Sequence, residues 1–79
     1  MVNVKSEEEW AERARVFLKA ELVKAEVTYA DLAKRLKKHG LTETEASITN
    51  KLKRGTFPAT FFQASPGAIG VECVRLEDV

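Results

Sequence analysis

Leu41 to Gly55, reading LTETEASITNKLKRG, restricts the fold more than any other stretch, because start and stop signals enclose a short helix with little to bury. Thr42 followed three residues later by Glu45 forms a capping box, in which each side chain satisfies the other's free backbone N–H. Gly55 supplies the left-handed residue that commonly ends a helix, and Lys51, Lys53 and Arg54 place positive charge at the C-terminal end of the dipole. At about 100° per residue, Ile48 and Leu52 share one side, and Glu43, Ala46, Ser47, Asn50, Lys53 and Arg54 occupy the other. A short helix with one narrow apolar stripe must lie on a body built by other elements. Its outer face suits close approach to base edges, since Ala and Ser are small, Asn can pair with adenine, and Arg or Lys can reach guanine or phosphate. The plainer alternative is an amphipathic helix with a solvated polar face.

The body is expected to be helical. Ser6 with Glu9 marks the start of a first helix over about residues 7–26, with Glu7 and Glu8 at the positive end of its dipole. Trp10, Ala14, Phe17, Leu18, Leu22 and Ala25 recur at three- and four-residue steps, so a wide buried face anchored by Trp10 is expected. Thr28 with Asp31 opens a second helix through about Lys38. Its inner side is Tyr29, Leu32, Ala33 and Leu36, its outer side Lys34, Arg35, Lys37 and Lys38, and Gly40 is its stop. His39 beside that end reads as an incidental cap. After Gly55, Pro58 stands near the first position of a fourth helix, where its missing N–H costs nothing. Phe57, Phe61 and Phe62 should pin this helix to the rest. Pro66 lacks the donor to the carbonyl of Phe62, so a break is expected there, with Ser65 capping a last turn that ends at Gly70.

Beyond Gly70 the period changes. Val71 to Leu76 interleaves polar and apolar residues and reads as a strand. A strand needs a partner. The candidates are the alternating Val2-Asn3-Val4 in the same chain, or the same segment of a second copy across a two-fold axis.

A chain of 79 residues makes a single domain over 1–79, near the lower limit for a self-sufficient core, and dimerisation is a common remedy. No apolar run is long enough to span a membrane and no signal segment is visible, so a cytoplasmic protein is expected. One cysteine, Cys73, and one histidine fall short of a zinc set, and neither has the spacing of a nucleophile with its base. Cys73 reads as a small apolar residue of the last strand. No enzyme, metal site or cofactor is expected. The formal net charge is only +1, but it is unevenly spread. Residues 6–31 hold seven acids and four bases, and residues 34–54 hold seven bases and two acids.

Residues Thr28 to Gly70 resemble the helix-turn-helix domain of phage-repressor-like (Xre-type) regulators. The features are Tyr29-x-x-Leu32-Ala33, a turn, a polar helix closing in Lys53-Arg54-Gly55, then Phe57-Pro58 and an apolar helix ending in Ala68-Ile69-Gly70-Val71. The whole chain is also similar to a bacterial family of small domains of unknown function, through Trp10, Thr28-Tyr29, the run Asn50-Lys51-Leu52-Lys53-Arg54-Gly55-Thr56-Phe57, and Phe61-Phe62. The resemblance implies a mainly α fold of four to five helices, with motif helices at about 28–39 and 42–54 and a short C-terminal strand. It implies a regulator that lays the helix 42–54 in the major groove of double-stranded DNA, and the small size and the strand in need of a partner add the expectation of a homodimer. Thr44, Ser47, Asn50 and Lys51 would then face bases or nearby phosphates, and Thr28, Lys53 and Arg54 would anchor the backbone. The charge distribution adds Lys34, Lys37 and Lys38 as phosphate contacts. The competing expectation is a protein-interaction module that keeps the helical fold without using it on DNA.

Overall fold

Cap residues divide the chain into four α-helices in the computed structural model, which describes residues 6–79. They are α1 (Glu7–Ala25), α2 (Tyr29–Lys38), α3 (Glu45–Arg54) and α4 (Ala59–Ala68), followed by a short 3-10 turn at Leu76–Asp78. Ser6 accepts the N–H of Glu9 at 3.2 Å, and Thr28 accepts that of Asp31 at 3.1 Å, as the sequence led one to expect. Helix α1 closes at Glu26, which adopts a left-handed φ of 57°, and the Val27 N–H returns to the Leu22 carbonyl at 3.0 Å. Val27 is thereby turned into the core.

The core joins Phe17, Leu18 and Leu22 of α1 to Leu32 and Leu36 of α2, Ile48 and Leu52 of α3, and Phe61 of α4. Helix α2 packs on α3 and α4, and α1 packs on the same two from the other direction. Phe57 and Phe62 are half-buried and stack with centroids 6.1 Å apart, while Phe57 tilts onto Phe61 and Phe62 onto Phe17. These aromatic contacts hold the start of α4 against α1.

Gly55 ends α3 at φ 74°, and it does a second thing that the sequence did not announce. A Cβ there would stand 2.9 Å from the carbonyl oxygen of Ala11 in α1. Helix α3 thus ends directly against the backbone of α1.

Several expectations are corrected. Helix α3 starts at Glu45 with Thr44 as its cap, because Thr44 and Ser47 form the capping box in place of Thr42 and Glu45. The Ser47 N–H donates to Thr44 Oγ1 at 3.0 Å and the Thr44 N–H to Ser47 Oγ at 2.9 Å. Helix α4 runs unbroken through Pro66, which is buried near its end, where a single missing N–H is easily carried. Ser65 caps nothing; its buried hydroxyl has no partner. Trp10 is not a core anchor but is 51% exposed, and Ala25 is exposed too. Helix α1 has 19 residues against 10 in each of the others, so its two ends overhang the body that its middle buries.

No strand forms among the described residues, and the C-terminal strand is not borne out. Residues 71–75 are irregular, Cys73 is exposed, and only Val79 returns to pack partly against the core. An extended segment holds its ladder only beside a second strand. Of the two expected partners, Val2 to Val4 lies outside the described residues, and the other is the same segment of a second copy.

Gly55→Ala should destabilise the domain by about 2–4 kcal/mol, combining the left-handed φ with a side chain forced onto Ala11. Urea titration followed by circular dichroism measures this; a loss below the range for an exposed helix-end substitution would refute the close approach.

Candidate nucleic-acid interface

The outer face of α3 is built by the periodicity that buries Ile48 and Leu52. Ala46, Asn50, Lys53 and Arg54 share the opposite side and are exposed, and Thr49 is exposed on its flank. The Thr49 hydroxyl donates back to the Glu45 carbonyl at 2.8 Å, which leaves its methyl group outward. The amide of Asn50 and the charges of Lys53 and Arg54 have no side-chain partner among the described residues. The face therefore offers one donor–acceptor amide between small residues, with two cations at the end nearest α1.

The remaining expected residues separate into two groups. Lys34, Lys37 and Lys38 are exposed on α2, with Lys34 and Lys38 opposite the buried Leu32 and Leu36. Thr28 is exposed at the start of α2, its Oγ1 accepting from Asp31. Thr44 and Ser47 stand at the start of α3, where their hydroxyls already serve the capping box. Six residues, 39–44, separate α2 from α3, more than the three or four of a usual helix-turn-helix.

Lys51 points elsewhere. Its Nζ lies 3.0 Å from Glu43 Oε1 and 5.6 Å from the centroid of the Phe61 ring, so it is turned back along the helix toward the core. Glu43, read from the sequence as an outward acid, is folded onto α3. It also accepts the Ser47 hydroxyl at 2.6 Å, and its side chain is only 10% exposed. Spacing explains the arrangement: Glu43, Ser47 and Lys51 follow at four-residue steps and stack along one side of the helix start. That ladder could have been read from the sequence, whereas the underlying Phe61 could not.

Two acids stand near the cations instead. Glu7 and Glu8 of α1 line a cleft with Lys53, Arg54 and Thr56, with Glu12 tied to Arg15 beside it. Among the described residues, no group of three or more His, Cys, Asp or Glu side chains stands where it could hold a metal ion. No helix there is long and apolar enough to cross a membrane.

These features define a small, mainly helical domain with one polar helix displayed on its surface. The chain belongs to a family described as a domain of unknown function (DUF6471), whose model matches residues 10–74. No curated protein and no solved structure matches it.

Glu43→Ala leaves the Lys51 ammonium without its partner and returns the Ser47 hydroxyl to the Thr44 carbonyl, 3.0 Å away. The expected loss is about 1–2 kcal/mol, larger than for an open surface ion pair, because both partners are largely covered. A double-mutant cycle with Lys51→Ala in urea should recover part of it as a coupling between the two; strict additivity would dissolve the ladder.

Proposed function

We propose that this domain binds double-stranded DNA and acts as a transcriptional regulator, with α3 entering the major groove. A single observation carries the reading: the outer face of α3 from Ala46 to Arg54 is exposed and carries no acid, and the neighbouring Glu43 is folded back onto Ser47 and Lys51. Ala46 and Thr49 let the helix come close, and Asn50 is the reader, its amide able to accept from and donate to adenine. Lys53 and Arg54 hold phosphate at one end of the helix, and Lys34, Lys37 and Lys38 add contacts from α2. Thr28, Thr44 and Ser47 position backbone rather than bases, because their hydroxyls are committed to caps. Lys51 supports Glu43 and is turned away from the face that would meet the duplex. The likeness to repressor-type helix-turn-helix domains supports the pose through Tyr29-x-x-Leu32-Ala33 and Lys53-Arg54-Gly55. With a net charge of +1, binding should be modest and strongly salt-dependent.

Glu7 and Glu8 beside Lys53 and Arg54 favour a second reading, a protein-interaction module that spares DNA. Electrophoretic shift with random and genomic duplexes at low salt separates the two, since only the first gives a retarded band.

Replacing Lys53 and Arg54 together by Ala should weaken binding to every sequence and lower the salt slope by about 2. An unchanged slope, measured by anisotropy across a salt series, rules out the docking pose. Asn50→Ala should instead cost about 1–3 kcal/mol on the preferred site and little on random duplex. Equal losses on both would remove Asn50 as the reader.

A further inference from the structure

We infer that the apolar groove between the first turns of α1, the start of α4 and the C-terminal segment is the seat of a second copy of this chain. Trp10 and Ala14 form one wall, Phe57 and Phe62 the other, and Leu76 overhangs from the tail. Trp10 is 51% exposed and Leu76 83% exposed, so the groove presents large apolar groups directly to water. Patches of this kind, rimmed by charge, mark interaction surfaces, and a half-exposed tryptophan is a frequent anchor of them.

The rim identifies the occupant. Glu7, Ala11 and Thr56 line both the groove and the adjoining cleft, where Glu8 faces Lys53 and Arg54. The whole surface is only 5534 Å², and a standard interface takes about 800 Å² from each partner, roughly a seventh of it. A partner of that extent must cover the cleft as well as the groove. An acidic partner would then meet Glu7 and Glu8, and a basic one Lys53 and Arg54. Only a surface carrying both signs side by side complements this one. A second copy carries both, and with a two-fold axis passing between the two clusters the acids of each copy meet the bases of the other. None of these four side chains is tied in an ion pair within the chain among the described residues.

Sedimentation of the full chain without nucleic acid, from low to high micromolar concentration, tests the inference separately from DNA binding. A monomer–dimer equilibrium is expected, and Trp10, as the single tryptophan, should shift its emission to the blue as dimer forms. Trp10→Ala should weaken the dimer by roughly thirtyfold, the effect of a central aromatic anchor. Reversing Glu7 and Glu8 to Lys should give a monomer, as should reversing Lys53 and Arg54 to Glu, each with unchanged helical circular dichroism. Mixing the two reversed chains should restore a dimer, because both sets of pairs are re-formed. A chain that stays monomeric throughout leaves the groove to another partner and overturns the inference. A dimer indifferent to Trp10, or reversed chains that fail to associate when mixed, overturns it equally.

Discussion

The approach of Gly55 to the backbone of Ala11 is the contact on which the remaining geometry rests. With no side chain at that position, α3 can end against α1 rather than a side chain's width away. That closeness lets a helix with only two large apolar residues bury both of them, Ile48 to 0% and Leu52 to 1% exposure. The same residue turns the chain through a left-handed φ into Thr56-Phe57-Pro58, which brings the aromatic start of α4 back to α1. A cap, a packing contact and a reversal of direction thus fall on one glycine. The polar face of α3 is open because its narrow apolar side is satisfied so economically.

Local signals were legible in the sequence because their energetics are local. Thr28 with Asp31, Ser6 with Glu9, and Gly55 each act within a single turn, and the structure has all three. Leu32, Leu36, Ile48 and Leu52 were readable for the same reason, since period alone places them on one face. The start of α3 was less legible because two overlapping boxes compete over Thr42 to Ser47. The winning box leaves Leu41 in the linker, half-buried against the core with its N–H on the Leu36 carbonyl at 3.0 Å.

What could not be read depends on where helices stop relative to one another. Trp10 has the spacing of a core residue, but a helix of 19 residues spans about 28 Å at 1.5 Å per residue, against about 15 Å for one of 10. Its ends overhang, and Trp10 stands at one of them while Val23 stands exposed at the other. Alternation in Val71 to Leu76 likewise describes a chain that could pair, and pairing requires a neighbour that no pattern within the segment supplies. Pro66 was read as a break because its position relative to the helix end was unknown. Two residues before the helix's last residue, it removes one hydrogen bond, while its own carbonyl accepts from the Ile69 and Val71 N–H groups and that of Gly67 from the Gly70 N–H.

The seven bases of residues 34–54 are not equivalent once the fold is known. Arg35 is paired with Asp31 at 3.2 Å and Lys51 with Glu43, so five remain unpaired among the described residues: Lys34, Lys37, Lys38, Lys53 and Arg54. One of the region's two acids is consumed by the same pairing, and the other, Glu45, stands at the start of α3, where the helix dipole favours it. Pairing therefore removes charge of both signs from the interior of the region and leaves the cations at its periphery. A phosphate backbone would engage such a periphery, whereas Glu7 and Glu8 oppose one at the end of α3 nearest α1. A mate that pairs those two acids with its own Lys53 and Arg54 would remove the opposition but occupy the same cations that hold phosphate, so self-association through this cleft and duplex binding compete for Lys53 and Arg54.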